Sequence, residues 1–299
     1  MVGDEASPRE RDFRSSMKQI SGLEQIHPTY DAFLVDAWGV LHDGVACYPG
    51  AKNCLQRLAE FEKPVIVMSN AARRQHDMEL ELSRVGVNAA LYRSVISSGE
   101  LTWRALREGR LGLHLVEPGY YLGPQRSVSI CDGLPLAWTD SVNRAGFVLN
   151  AGAPSGNPRD TELLVPLLEA MVARRLPMIC ANPDQVAVRA GELGISAGAI
   201  ARRYQDLGAT RIIYCGKPFH DIFEVALAAL PGIDKSRILM VGDAFETDIA
   251  GALAFGLDSL LIAGGIHSAE LDPLNEASLR ELAARYGVKP GYYCEFLGW

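Results

Sequence analysis

No two of the six cysteines, at positions 47, 54, 131, 180, 215 and 294, stand in a CxxC pair or at a zinc-ligand spacing. Such thiols read as reduced and mostly buried, as in the cytosol. No apolar stretch approaches the roughly 20 residues that cross a bilayer, and the opening "MVGDEASPRERDFRSS" lacks the apolar run of a secretory signal. The expectation is a soluble, cytoplasmic protein without a membrane partner, with a loose N-terminal tail over residues 1–20. Low-complexity segments and fixed-period repeats are missing too. Basic residues are in deficit, with a formal net charge of -7, whereas a general nucleic-acid binder needs a surplus of Lys and Arg facing phosphates. A local site for a small anion is still allowed.

What the chain does have is 48% hydrophobic residues over 299 positions, enough for a packed protein of one or two domains. Short apolar runs ending in Gly, Asp or Asn recur: "AFLVDAWG", "PVIVMSN", "LHLVEPG", "GFVLNAG", "PMICANPD", "RIIYCGKP", "RILMVGD" and "SLLIAGG". Each has the form of a parallel strand buried on both faces. Between them "AKNCLQRLAEFE", "RQHDMELELSRVG", "DTELLVPLLEAMVARR" and "DIFEVALAAL" carry apolar residues at helical spacing. This alternation predicts an α/β protein with doubly wound parallel sheets and right-handed crossovers. Three of the strands cluster in mid-chain. They predict a second α/β unit inserted over residues 76–209, between core segments 21–75 and 210–299.

Four strand ends offer groups suited to one anionic site: Asp36; Ser69 with Asn70; Lys217 in "CGKPF"; and Asp243 in "VGDAFETDIAGA" with Asp248 five residues on. Ligands of open α/β sheets collect outside the carboxyl ends of strands, so these groups converge if the strands are neighbours. In attack on a phosphate ester one carboxylate can act as nucleophile and a second can hold Mg²⁺. A hydroxyl and a lysine can neutralise the transferring oxygens. Blander readings stand beside these. Asp243 could be a helix N-cap, Asp248 a structural hydrogen-bonding group, and Ser69 and Asn70 a strand end. Arg73 and Arg74 could touch substrate or sit exposed on a first helical turn. Asn182 and Asp184, in "ANPD", could form a turn.

In this order and context the sequence resembles the haloacid dehalogenase (HAD) superfamily, and within it the class IIA phosphatases with a large inserted α/β cap. "DAWGVLHDG" followed by "YPGA" looks like the first motif, "VIVMSN" the second, "CGKPF" the third and "VGDAFETDIAGA" the fourth; "ANPD" resembles a cap signature. The resemblance spans nearly the whole chain from about residue 21. It implies that Asp36 is the nucleophile and a Mg²⁺ ligand, that the Trp38 backbone carbonyl and Asp243 are further ligands, and that Asp248 stands nearby. It also implies that Ser69 and the Asn70 backbone bind the phosphoryl group, that Lys217 pairs with it, and that Asn182 and Asp184 face a small phosphorylated substrate from the cap. A homodimer is compatible with this reading.

One position departs from the pattern. Family phosphatases read Asp-x-Asp in the first motif, the second Asp serving as general acid and base, and Trp38 stands there instead. An indole transfers no proton at neutral pH, while its backbone carbonyl can still bind metal. Losing a positioned acid or base costs about 10²- to 10⁴-fold in rate. Three routes compensate: a substitute acid such as His42, Asp43 or the cap residue Asp184; a substrate with a better leaving group; or a protein that chiefly binds a phosphorylated ligand, an impaired or regulatory relative. Other chemistries lack their motifs. There is no G-x-G-x-x-G between an early strand and helix for a dinucleotide and no Walker-type loop for a kinase.

Overall fold

The computed structural model describes residues 17–113, 116–155, 158–189 and 192–299. In chain order its strands are β1 (Lys18–Gln19), β2 (Ala32–Asp36), β3 (Val65–Ser69), β4 (Ser94–Ser97), β5 (Gly119–Leu122), β6 (Trp138–Thr139), β7 (Phe147–Asn150), β8 (Met178–Cys180), β9 (Val186–Arg189), β10 (Glu192–Ile195), β11 (Ile212–Tyr214), β12 (Ile238–Gly242), β13 (Asp258–Ile262) and β14 (Tyr292–Cys294). The α-helices are α1 (Pro49–Glu60), α2 (Gln75–Arg84), α3 (Ser98–Arg107), α4 (Val165–Ala173), α5 (Ala197–Asp206), α6 (His220–Ala228), α7 (Ala250–Phe255) and α8 (Glu276–Tyr286).

The chain divides into two compact units. Among the described residues, the first takes those within 1–66, 91–93 and 230–299, and the second those within 67–90 and 94–229. The second is therefore an insertion between the two ends of the first. The expected insert, 76–209, falls within it apart from residues 91–93, and the compact unit reaches further on both sides.

In the first unit the strands run in the order β1-β14-β13-β12-β2, and all of these pairs are parallel. β2 and β12 are buried at every position, as strands covered on both faces must be. Helix α1 starts with Pro49 at its first turn, where a missing N–H costs nothing. It buries Ala51, Cys54, Leu55 and Leu58 at helical spacing. After β12 the chain makes a π-helical turn, Phe245–Ile249, before α7. Helix α8 opens on a capping box in which the Asn275 side chain accepts from the Ser278 N–H and the Ser278 hydroxyl bonds the Asn275 N–H.

The second unit is built on a parallel sheet of order β11-β8-β7-β5-β6. Its apolar core joins Val148, Met178 and Cys180 of the sheet to Leu168 and Met171 of α4 and to Ile200 and Tyr204 of α5. β9 and β10 form an antiparallel hairpin.

The α/β expectation is met, and seven of the eight apolar runs hold a strand. The exception is "LHLVEPG". Of its residues His114 and Leu115 lie outside the described residues, and the strand begins only at Gly119, where "GYYL" pairs with β7. The tail is corrected as well. Residues 1–16 lie outside the described residues, but Lys18–Gln19 pairs with Tyr292–Tyr293, because Met17 and Ile20 on either side are buried apolar anchors. No helix among the described residues is long and apolar enough to cross a membrane.

Candidate active site

In the first unit, strand register brings the acidic residues together. Val241 of β12 pairs with Val35 of β2, so Asp36 and Asp243 leave the sheet side by side at the carboxyl ends of adjacent parallel strands. The π-helical turn then returns Asp248 to the same place. One carboxylate oxygen from each of Asp36, Asp243 and Asp248 lies within 4.8 Å of the others, and all three residues are buried.

Protein amides hold two of these carboxylates. Asp248 accepts from the Ala244 N–H at 3.1 Å, and Asp243 Oδ2 accepts from the Ile266 N–H at 2.8 Å. Asp243 thus caps no helix through its side chain; the turn that follows starts at Ala244 without a side-chain cap. Backbone packs closely on both sides of it. A Cβ added at Gly39 would fall 2.0 Å from Asp243 Oδ2, and one at Gly265 would fall 2.2 Å from the same atom. Only glycine lets both loops approach so near.

Three buried carboxylates in this volume repel one another strongly unless a cation neutralises them. Their hard oxygen donors suit Mg²⁺, which keeps part of its water shell and needs few protein ligands. The donor set therefore fits the ion that the sequence implies. In the loop after β2 the Gly39 N–H donates to the His42 carbonyl and the His42 N–H to the Ala37 carbonyl. These bonds close the loop through the neighbours of Trp38, without using the Trp38 carbonyl.

The Trp38 side chain has a packing role. Its indole stands edge-on to the His42 ring, with centroids 6.0 Å apart, and lies so close to Gly44 that a Cβ there would sit 2.8 Å from Cζ2. His42, one of the residues considered as a substitute acid, is fully buried. Its Nδ1 accepts the Gly44 N–H at 3.0 Å, so it knits the loop that carries Trp38. Asp43 accepts the Val45 and Ala46 amides at 2.8 and 2.9 Å. Those bonds, the Ala46 one first, lower its pKa and keep it ionised, so it holds no proton to donate at neutral pH. Tyr48 was not singled out in the sequence. Burial first, then the charges of Asp43 and Asp243, raise its pKa, which keeps a protonated phenol in the field of the acidic cluster.

The second unit holds a polar cluster of its own, organised by Asn70. Its Nδ2 donates to Asp184 Oδ1 at 2.7 Å and to the Lys217 carbonyl at 3.0 Å. Its Oδ1 accepts the Lys217 N–H at 2.8 Å and the Ser98 hydroxyl at 3.1 Å. The whole amide is thereby engaged, and the side chain of Asn70 serves to join β3, the "ANPD" turn and the "GKP" segment. Gly216, at φ 118°, makes this possible, since a Cβ there would lie 2.0 Å from Ser98 Oγ. Lys217 is 2% exposed, far from the solvated lysine a lone sequence position suggests, and its Nζ donates to the Met68 carbonyl at 3.4 Å.

Other expected residues take clear places. Ser69 Oγ accepts the Ala71 N–H at 3.2 Å. Asn182 Oδ1 accepts the Asp184 N–H at 2.9 Å, an Asx-turn that gives Asn182 the turn-forming role. Arg73 pairs with Glu81, and Arg74 with Glu100 at 2.7 Å while lying 3.7 Å over the Trp103 ring; neither is exposed and idle. Sequence reasoning missed Ser98, Glu100 and the Gly265–His267 loop. "SSGE" after the β-prone run "SVIS" carries an N-cap signature that could have exposed the first two, as Ser97 accepts the Glu100 N–H. The loop had no motif to mark it.

The chain is similar to known proteins over most of its length. The sequence profile of the haloacid dehalogenase-like hydrolases matches residues 33–127, and a HAD-hydrolase-like profile matches residues 214–290. Rat (Rattus norvegicus) chronophin is 29% identical over 276 residues, covering 88% of this chain and 84% of its own length. Glycerol-3-phosphate phosphatase from Gallus gallus is 27% identical, with 89% of each chain covered. The crystal structure of a haloacid dehalogenase-like hydrolase from Brucella suis 1330 superposes with a TM-score of 0.81 at 32% identity, over 93% of this chain and 99% of that one.

Proposed function

This chain belongs to the haloacid dehalogenase-like hydrolase family, as a class IIA phosphatase, and we propose that it hydrolyses a small phosphorylated metabolite through Asp36 with the help of Mg²⁺. The observation that carries the reading is the buried cluster of Asp36, Asp243 and Asp248 at the ends of adjacent parallel strands. A relative named for glycerol 3-phosphate supports a small ester as substrate.

In this reading Asp36, Asp243, Asp248 and the Trp38 carbonyl would hold Mg²⁺, which when bound supplies positive charge to the phosphoryl oxygens and to the acidic cluster. A carboxylate oxygen of Asp36 attacks phosphorus as the bond to the leaving oxygen breaks, giving an aspartyl-phosphate. Water then attacks phosphorus, and the P–O bond to Asp36 breaks to release phosphate and restore the carboxylate. The buried ammonium of Lys217, with the Ser69 hydroxyl and the Asn70 backbone, binds the phosphoryl group, and Asn182 and Asp184 belong to the substrate-facing turn of the cap. We place that cap around the five-stranded sheet of the second unit, so that its last strand is β11.

The test is phosphate release from a panel of aryl, acyl and sugar phosphates, with Mg²⁺ or with EDTA, for wild type and Asp36→Asn. Metal-dependent release that falls by at least about 10³-fold in the variant is expected of a lost nucleophile. Absence of release across the panel, from protein that binds Mg²⁺ and phosphate, would instead favour a phospholigand binder, the reading for which Trp38 speaks.

A further inference from the structure

The loop after β13, Ala263–His267, reaches the acidic cluster through the Ile266 N–H, which donates to Asp243 Oδ2. It is laced to the opposing loop a second time and in the reverse sense. The Phe245 N–H, two residues beyond Asp243, donates to His267 Nε2 at 3.3 Å. Side chain 243 takes an amide from the second loop, and side chain 267 takes an amide from the first. The Gly265 backbone lies too close to the Asp243 carboxylate for any Cβ, so a shift of this loop moves the carboxylate with it.

His267 is built to act as an acceptor. An amide N–H only donates, so Nε2 must carry its lone pair, and Nδ1 then carries the proton and donates to Glu270 at 2.8 Å. Glu270 is in turn paired with Arg285 in the last turn of α8. The imidazole is buried and stands edge-on to both Phe245 and Tyr286, with centroids 5.3 Å away in each case. Tautomer, tilt and position of the ring are all fixed.

We propose that His267 is a positioning residue that, through the paired 243–266 and 245–267 hydrogen bonds, orients the Asp243 carboxylate for a divalent cation. The proposal rests on the assignment of Asp243 as a metal ligand. Groups that fix a metal's ligands from behind typically matter by about 10- to 100-fold in metal affinity.

The experiment is Mn²⁺ binding, read by the loss of its free-ion electron paramagnetic resonance signal, to the full-length protein without substrate. His267→Ala is compared with His267→Gln, whose amide oxygen can replace Nε2 as acceptor, and with His267→Asn, which is too short to do so. Melting temperatures are recorded for each. The expected result is a Kd for Mn²⁺ about 10- to 100-fold weaker in the Ala and Asn variants, with the Gln variant near wild type, whatever the order of their melting temperatures. Ala and Gln variants that both bind Mn²⁺ like wild type would overturn the proposal, as would losses that track melting temperature alone. If the Ala and Asn proteins fail to fold, the Gln variant and Glu270→Ala decide. Wild-type-like binding in the first with a several-fold loss in the second supports the relay, and the opposite pattern overturns it. Asp243→Asn separates the two readings. Undiminished binding there would remove the metal assignment itself, whereas loss there with no effect at His267 would remove only the positioning role.

Discussion

Trp38 carries the strongest consequence at the scale of a single residue. Its indole packs on Gly44 and against the edge of His42, so the position is used for loop packing where the family pattern has a proton carrier. The neighbouring Asp43 is held ionised by its own turn amides, and His42 is committed at Nδ1 to Gly44. Neither offers the loop a ready acid. The expected outcome is a steep dependence on leaving group, with p-nitrophenyl phosphate turned over far better than an alkyl phosphate. Trp38→Asp is expected to raise kcat/KM for the alkyl ester by about 10²- to 10⁴-fold, and that for the aryl ester much less. Equal gains on both substrates, measured side by side, would show that the missing acid does not limit the reaction.

Among the elements, α2 and α3 are joined through one carboxylate. Glu100, in the first turn of α3, accepts from Arg74 at 2.7 Å, from the Gln75 N–H at 3.2 Å and from Arg104 at 3.0 Å. Burial alone would raise its pKa, but Arg74, the Gln75 amide and Arg104 together outweigh it and hold the pKa below the ordinary value. A carboxyl with a depressed folded-state pKa stabilises fully above its unfolded pKa, near 4.3, and loses that contribution as pH falls through the lower folded value. Glu100→Gln is therefore expected to cost about 1.5–3 kcal/mol near neutral pH. The gap between wild type and variant should close below about pH 4. Urea unfolding of both proteins at pH 7 and pH 3.5 checks this, and a gap unchanged at pH 3.5 would deny the ion pairs their role.

At the scale of the whole molecule, folding and metal binding are coupled. A buried triad of carboxylates is a source of repulsion in the folded chain, and it is dispersed on unfolding. Mg²⁺ that binds only the folded form, at about 100 times its Kd, should add about 2.7 kcal/mol of stability. Thermal unfolding with and without EDTA measures it. The shift is expected in wild type and lost in Asp243→Asn, which should itself be no less stable than the metal-free wild type, because it carries one buried charge fewer.

Much of this was legible from the order of residues alone. Alternating apolar runs and helical stripes determined an α/β chain with an inserted unit, because burial on both faces of a parallel strand leaves a continuous apolar signature. The polar ends of "AFLVD" and "ILMVGD" marked Asp36 and Asp243, since ligand groups gather where parallel strands end. "LHLVEPG" misled for a related reason, as an apolar run does not say which of its neighbours will pair. What only the tertiary structure decided is where side chains point once the chain is packed. The register of β2 on β12 set the carboxylates within reach of one another. The burial of His42 and Lys217 depends on what packs over them, and the four bonds of Asn70 and the lacing of Asp243 to the His267 loop join residues distant in sequence. No local pattern encodes such contacts, because each hydrogen bond exists only after the sheet has brought its two ends together.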